Sequence, residues 1–454
     1  MKNRFISFQL LSPIFVIKRT LSYFFLLVIC SNVLADGHPH DSWEVTSFGT
    51  LGYTHTSKYD DLVIKRNITQ RSIEVERSGW LIDSSLGVQV RKELEHNWDV
   101  VGQVVAKEKV NDSIEQSIEM AFLRYRSNDN WSFQLGRMVL DTFLLSDHRD
   151  VGYSYHTVRP QTEFYAWIPF SHYDGLKTTF EFGDFDSLVR FEVFLGKAKS
   201  TVNIGYLDTS TSYNYAKVAP IIGTGITWEK DDFTLRASIA RFRFTQNTNA
   251  IKQLDVVVGR VEELWPESRV IADGYSIKDV EITYGSIGFK WTPGAWVVQS
   301  EFSDVNGDNF GNYDGQRLYL QVGRRFGEFL PYVSYAYSWD DREFPYDPPV
   351  FDDGLAFVLP GGQDQLDAVR AGSGAIYSLL KDNLNSGLMN QRSLSLGVRW
   401  DFASQKALKF QCDYATLEDG SLGIYPTQDT PEFGERNWTR DSRSWCSTTF
   451  DWVF

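Results

Sequence analysis

The sequence is short of several things, and each shortage removes a class of protein. Methionine occurs 4 times and cysteine 3 times in 454 residues, so neither a pliable methionine-rich binding surface nor a dense disulfide scaffold is available. Beyond residue 35 no apolar run reaches the roughly eighteen residues that a membrane-crossing helix needs. Lysine and arginine total 45 against 59 acidic residues, a formal net charge of −14, so the cationic footprint of a nucleic-acid partner is missing. There is no nucleophile elbow of the G-x-S-x-G type and no H-E-x-x-H zinc pattern. His148 stands beside Asp147 and Asp150, but neighbours along one loop do not make a catalytic triad. No cofactor is implied and no enzyme is expected.

What is present begins with an export segment. Lys2, Arg4, Lys18 and Arg19 precede an apolar run from Leu21 to Ile29, and Val33-Leu34-Ala35 offers a small-residue cleavage site. Residues 1–35 therefore read as a signal peptide and residues 36–454 as the mature chain. Cys30 as a lipid attachment site is the competing reading, although Ile29 occupies a position that wants a small residue. Cleavage leaves 419 residues and moves the net charge from −14 to −18, because four basic groups and no acidic ones depart. It also creates an Asp36-Gly37-His38 terminus, a weak candidate for square-planar copper(II) or nickel(II) through His38; the plain reading is a polar terminus.

The dominant signal is a period of two. From Ser187 to Gly196, Val189, Phe191, Val193 and Leu195 point one way while Arg190 and Glu192 point the other. The alternation returns at Trp80, Ile82, Leu86, Val88 and Val90, at Phe233, Leu235, Ala237 and Ile239, and at Leu394, Leu396, Val398, Trp400 and Phe402. Short turns follow every second strand at 94–97, 127–130, 183–186, 229–232, 292–295, 326–329 and 401–406. Longer connections fill 56–78, 108–115, 139–173, 198–216, 245–279, 304–315, 339–390 and 416–443. Seven turns and eight long loops give sixteen strands. An open antiparallel sheet of that size would leave two hazardous edges, and closure removes them. The expected fold is all-β: a transmembrane, antiparallel up-and-down barrel with short periplasmic turns and long extracellular loops. Aromatic residues at 15% suit the interfacial girdles of such a barrel.

Alternation assigns Gln103, Arg190, Glu192, Arg236, Gln299, Glu301, Arg399, Lys409, Gln411 and Asp413 to the lumen. They read either as a transverse field that orients polar solutes or as scattered solubilising charge in a wet wall. Cys412 and Cys446 fall on outward faces of the last two strands, where a disulfide and two small lipid-facing side chains are both open readings. Asp304, Asn306 and Asp308 begin like a calcium loop, but Asn309 and Gly315 stand where Gly and Glu are required. Leu254, Val257, Val258, Val261 and Leu264 have helical spacing, and Pro266 ends the run. The 339–390 loop carries four prolines and then a helical stretch long enough to lid an opening.

In the last strand Cys446, Thr448, Phe450, Trp452 and Phe454 alternate outward to a terminal aromatic. With the signal segment and the strand count, the chain resembles the sixteen-stranded porins of Gram-negative outer membranes over its whole mature length. The resemblance implies an outer-membrane location, a homotrimer, passive diffusion of small hydrophilic solutes, and contacts with outer-membrane lipids, lipopolysaccharide and the barrel-assembly machinery. It also implies that the third long loop, 139–173, folds inward as a constriction. Arg149 and Arg159 are then candidates for its positive side, with Asp147, Asp150 and Glu163 for its negative side. A plugged barrel that binds or scaffolds is the alternative, and a barrel hydrolase a more distant one. Deletion of Phe454, or Phe454→Ala, is expected to reduce assembly into the outer membrane; unchanged amounts of heat-modifiable barrel would contradict the terminal signal.

Overall fold

The computed structural model describes residues 43–56, 63–64, 66–70, 73–74, 78–111, 113–184, 186–202, 214–259, 261–307, 314–340, 344–419, 421, 423 and 440–454. Sixteen long strands run in chain order, each antiparallel to the next. The first five are β1 (Glu44–His55), β2 (Ser85–Glu93), β3 (Trp98–Lys107), β4 (Ile118–Arg126) and β5 (Trp131–Val139). After the third long loop come β6 (His172–Gly183), β7 (Ser187–Val202), β8 (Asn214–Lys230) and β9 (Phe233–Phe244). Then follow β10 (Glu281–Trp291), β11 (Trp296–Gly307), β12 (Gly315–Arg324) and β13 (Phe329–Trp339). The chain ends with β14 (Gln391–Ala403), β15 (Lys406–Leu417) and β16 (Asp441–Val453).

β1 pairs with β2 on one side and with β16 on the other, in register from Phe48 against Val453 to His55 against Cys446. Two further bonds, Phe454 N–H to the Ser47 carbonyl (2.7 Å) and Ser47 N–H to the Phe454 carbonyl (2.8 Å), continue that seam at the short-turn rim. The sheet is closed. In hydrocarbon an unpaired strand edge would leave a row of polar groups without partners, so closure is the condition for spanning at all.

Strand periodicity then separates the two faces. Leu51, Leu135, Leu176, Phe191, Ile226, Ile239, Leu320 and Leu396 are exposed on the outside, while charged and hydroxyl side chains of the alternate positions are buried inside. Aromatic rings gather outside at the short-turn rim. Trp98 meets Tyr125 at 4.8 Å, Trp131 meets Phe180 at 4.6 Å, and Phe329 stacks on Trp400 at 5.6 Å between centroids. Such rings, with an apolar body and a polar tip, suit the membrane interface. Cys412 and Cys446 are directly opposed on the outer face of β15 and β16 and form a disulfide.

Two expectations need correction. Trp80 and Ile82 do not continue the alternation of β2, which starts at Ser85. They lie in a turn that leaves Trp80 57% exposed and Ile82 buried; the apolar spacing ran across a change of direction. The single helix expected from Leu254 to Leu264 is two, Asn249–Val258 and Glu267–Asp273. Gly259 caps the first, and Leu264 is left exposed in the connection. Leu254, Trp265, Ile271 and Tyr275 share one apolar cluster with Phe351, Leu366 and Leu380 of the 339–390 loop, whose helix spans Gly362–Gly387. Tyr275 O–H donates to the Leu380 carbonyl at 2.6 Å, so the two loops form one structure at the long-loop end.

The signal segment, Cys30, His38 and Asp308 lie outside the described residues. Among the described residues no helix is long and apolar enough to cross a membrane, which leaves crossing by strands untouched. A tag inserted between Asn306 and Asn312 is expected to be reachable from outside intact cells and one between Thr292 and Ala295 to be hidden; the opposite pattern would invert the orientation.

Candidate functional site

Loop 139–173 turns inward because the inner wall needs partners that lipid-facing residues do not supply. β9 and its neighbours hold its first part. Arg236 donates to the Asp141 carbonyl at 2.8 Å and pairs with the Asp141 carboxylate (2.9 Å) and with Glu192 (3.2 Å). Lys177 pairs with Glu192 at 2.5 Å. The hydroxyls of Ser238 and Ser286 both donate to the Thr142 carbonyl, at 2.7 and 2.6 Å. On β11, Glu301 accepts from Leu144 N–H (2.9 Å), from Tyr165 O–H and from Tyr319 O–H (2.5 Å), and Gln299 donates to Tyr319 at 2.6 Å.

The far part of the loop is held by β14, β15, β16 and β1. Arg399 donates to the carbonyls of Tyr153 (2.7 Å) and Tyr155 (2.9 Å), and Lys409 to those of Gly152 (2.6 Å) and Thr157 (3.0 Å). Gln411 accepts from Val158 N–H at 3.1 Å. Gly152 passes so close to the wall that a Cβ there would lie 2.1 Å from an Asp451 carboxylate oxygen and 2.2 Å from the Thr50 hydroxyl. Only glycine fits. Between the two anchor zones Phe143 packs edge-on against Phe164 (4.7 Å), Tyr165 (5.1 Å) and Tyr284 (5.2 Å), an apolar core inside the barrel.

The five constriction candidates divide. Arg159 is 3% exposed; it pairs with Asp83 at 2.6 Å, donates to Ser447 (2.7 Å) and Thr54 (3.3 Å), and lies 3.7 Å from Asp413. Glu163 is 1% exposed and accepts from Gln391 (2.5 Å) and Ser393. Neither presents its charge to water, because both sit in the contact between loop and wall. Asp150 pairs with Lys107 at 2.6 Å, and Arg149 is half-buried. Asp147 alone of the five is open, with 65% of its side chain exposed beside His148. His156 adds no charge at neutral pH: burial, together with Arg399, Lys290 and Lys409 nearby, pushes its imidazole down to about 3.

The lumen set is likewise not a uniformly wet wall. Glu192, Arg236, Gln299, Glu301, Arg399, Lys409, Gln411 and Asp413 all point inward and are buried. Gln103 is buried too, donating to Gln89 at 3.1 Å, and Arg190 is part-exposed with Glu181 at 2.6 Å. Alternation gives the direction of a side chain and not what covers it. The partners Asp83, Lys177, Gln391 and Ser393 are not legible in the sequence: Asp83 is hidden in the turn, the alternation of β6 that carries Lys177 is weak, and the neutral Gln391 and Ser393 carry no signal of their own.

A closed sixteen-strand barrel with a girdled apolar exterior and a loop anchored across its lumen has counterparts among solved structures. The outer-membrane channel DcaP of Acinetobacter baumannii matches with a TM-score of 0.50 at 11% identity, covering 92% of this chain and 99% of that one. The fold is that of a porin-like β-barrel. OmpF of Salmonella typhi, described in complex with daunomycin, gives 0.46 at 12% identity, covering 91% of this chain and 98% of its own. An anion-selective porin from Comamonas acidovorans gives 0.46 at 9%, covering 91% and 100%. No family model and no curated protein matches the sequence. The exposed apolar outer face of this chain, bordered by aromatic rings, is the face such a barrel turns to lipid.

The Arg159–Asp83 pair gives a direct test of how the loop is held. Removing one partner of a buried pair strands the other charge, at a cost of about 3–5 kcal/mol. Arg159→Met in the folded barrel is expected to lose stability on that scale in urea, and Arg159→Met with Asp83→Leu to recover most of it. An unchanged urea midpoint for the single variant would show that this pair does not hold the loop.

Proposed function

We propose that the chain is a porin whose inward loop restricts passive diffusion of small hydrophilic solutes. The observation that carries the reading is the anchoring of loop 139–173 across the lumen, from Arg236 on β9 to Lys409 on β15. Charges of both signs flank it: the exposed Asp147 beside Arg236 and Lys177, and Arg399 and Lys290 beside His156. Asp147, beside Lys177 of β6, and Arg399 on β14 lie half the circumference apart in the strand order, opposite charges on opposed walls as a transverse field requires. The reading includes no catalytic role.

A homotrimer belongs to the same reading. Ile114, Ile118, Ala121 and Leu135 line a shallow apolar groove on the outer face, bordered by the Arg137–Asp174 pair at 2.8 Å, a surface suited to a second copy. One observation favours the alternative of a closed, loop-gated barrel. The apolar cluster around Phe143, Phe164 and Tyr319 fills the lumen rather than lining it.

Single-channel recording in planar bilayers separates the two. The porin reading expects discrete ohmic steps from the parent, and larger steps when residues 152–165 are shortened in a barrel that still folds. A silent parent beside a conducting shortened variant would give the gated barrel, and equal conductance of both would place the constriction elsewhere.

A further inference from the structure

We infer that the pocket lined by residues 66–70, 107–109, 111, 116 and 149–171 and by the loop end of β7 is a binding site for a small oxyanion of carboxylate or phosphate type. The pocket is a cavity of about 60 Å³ above the inward loop. A water needs roughly 10–15 Å³ of such space, so the room suits a compact multi-atom anion or a few waters.

Its wall holds more donors than acceptors. Arg66, Lys107, Lys109 and Arg149 line it, against Glu108 and Asp150. The lysines are already matched. Lys107 pairs with Asp150 at 2.6 Å and with Glu119 at 3.1 Å, and Lys109 pairs with Glu119 at 2.8 Å. Counting Glu119 behind them, four cations meet three carboxylates among the described residues, and one positive charge is left over.

That surplus sits on the arginines. Arg66 gives its Nη2 to a neutral acceptor, the Tyr155 hydroxyl, at 3.1 Å. Arg149 Nη2 is buried without a hydrogen-bond partner among the described residues. Thr201, 3% exposed, also lines the cavity, and its hydroxyl has no partner among the described residues. A buried donor left unmade is costly, and a guanidinium is the side chain best matched to the paired oxygens of a carboxylate or phosphate. An anion with several acceptor oxygens completes the arginine and the hydroxyl together and cancels the unmatched charge.

Binding is read without conductance, so this site stands or falls separately from the pore. Sodium phosphate and sodium acetate are titrated calorimetrically into the full-length mature barrel folded in detergent, at constant ionic strength in chloride. Saturable binding of phosphate, of acetate or of both is expected, and which of them binds identifies the anion class. Arg149→Gln is expected to weaken it about ten- to hundredfold, the range for a hydrogen bond to a charged group, while Arg149→Lys keeps part of the affinity and heat-modifiable migration is unchanged. Thr201→Val, which keeps the shape of the wall, is expected to weaken binding by a smaller factor and serves if Arg149→Gln fails to fold. Absence of saturable binding by both anions, or unchanged affinity in a folded Arg149→Gln or Thr201→Val barrel, would show a cavity filled by water alone.

Discussion

Everything in this molecule follows from the need to satisfy backbone hydrogen bonds where no water can help. A strand in hydrocarbon must be paired on both sides, so β1 must meet β16, and sixteen strands must enclose a space. Enclosure turns the period of two into an inside and an outside. The outside takes Leu, Ile, Phe and Trp, and the inside receives the Arg, Lys, Asp and Glu that alternate with them.

Those inner charges create the second demand. A lumen narrowed by its own side chains cannot solvate every one of them, and a buried unpaired charge costs far more than a paired one returns. The inward loop answers with backbone carbonyls for Arg399 and Lys409 and with Arg159 for Asp83. Its aromatic residues pack together between these anchors. The loop is therefore part of the wall's electrostatics, and its removal would alter the wall itself.

The parts of this arrangement that were legible are those whose signal is local. Val189, Phe191, Val193 and Leu195 against Arg190 and Glu192 announce a two-faced strand within ten residues, and the spacing of short turns gives the strand number. The inward path of 139–173 is instead what the resemblance to porins implies. The turn at 80–84 was misread because apolar spacing is blind to a change of chain direction, and Asp83 went with it. Arg159 and Glu163 were read as pore charges because composition reports charge and not its neutralisation.

The sequence by itself determined the barrel, its strand count and the direction of each strand side chain, because periodicity and turn length act over a few residues. Only the tertiary structure decided which inward charges meet water and which meet each other. It set Arg159 against Asp83, 76 residues away, and Glu163 against Ser393, 230 residues away. It also gathered Arg66, Arg149 and Thr201 around one cavity. Such pairings depend on barrel closure and on the path of a loop across the lumen, and no short stretch of chain contains that information.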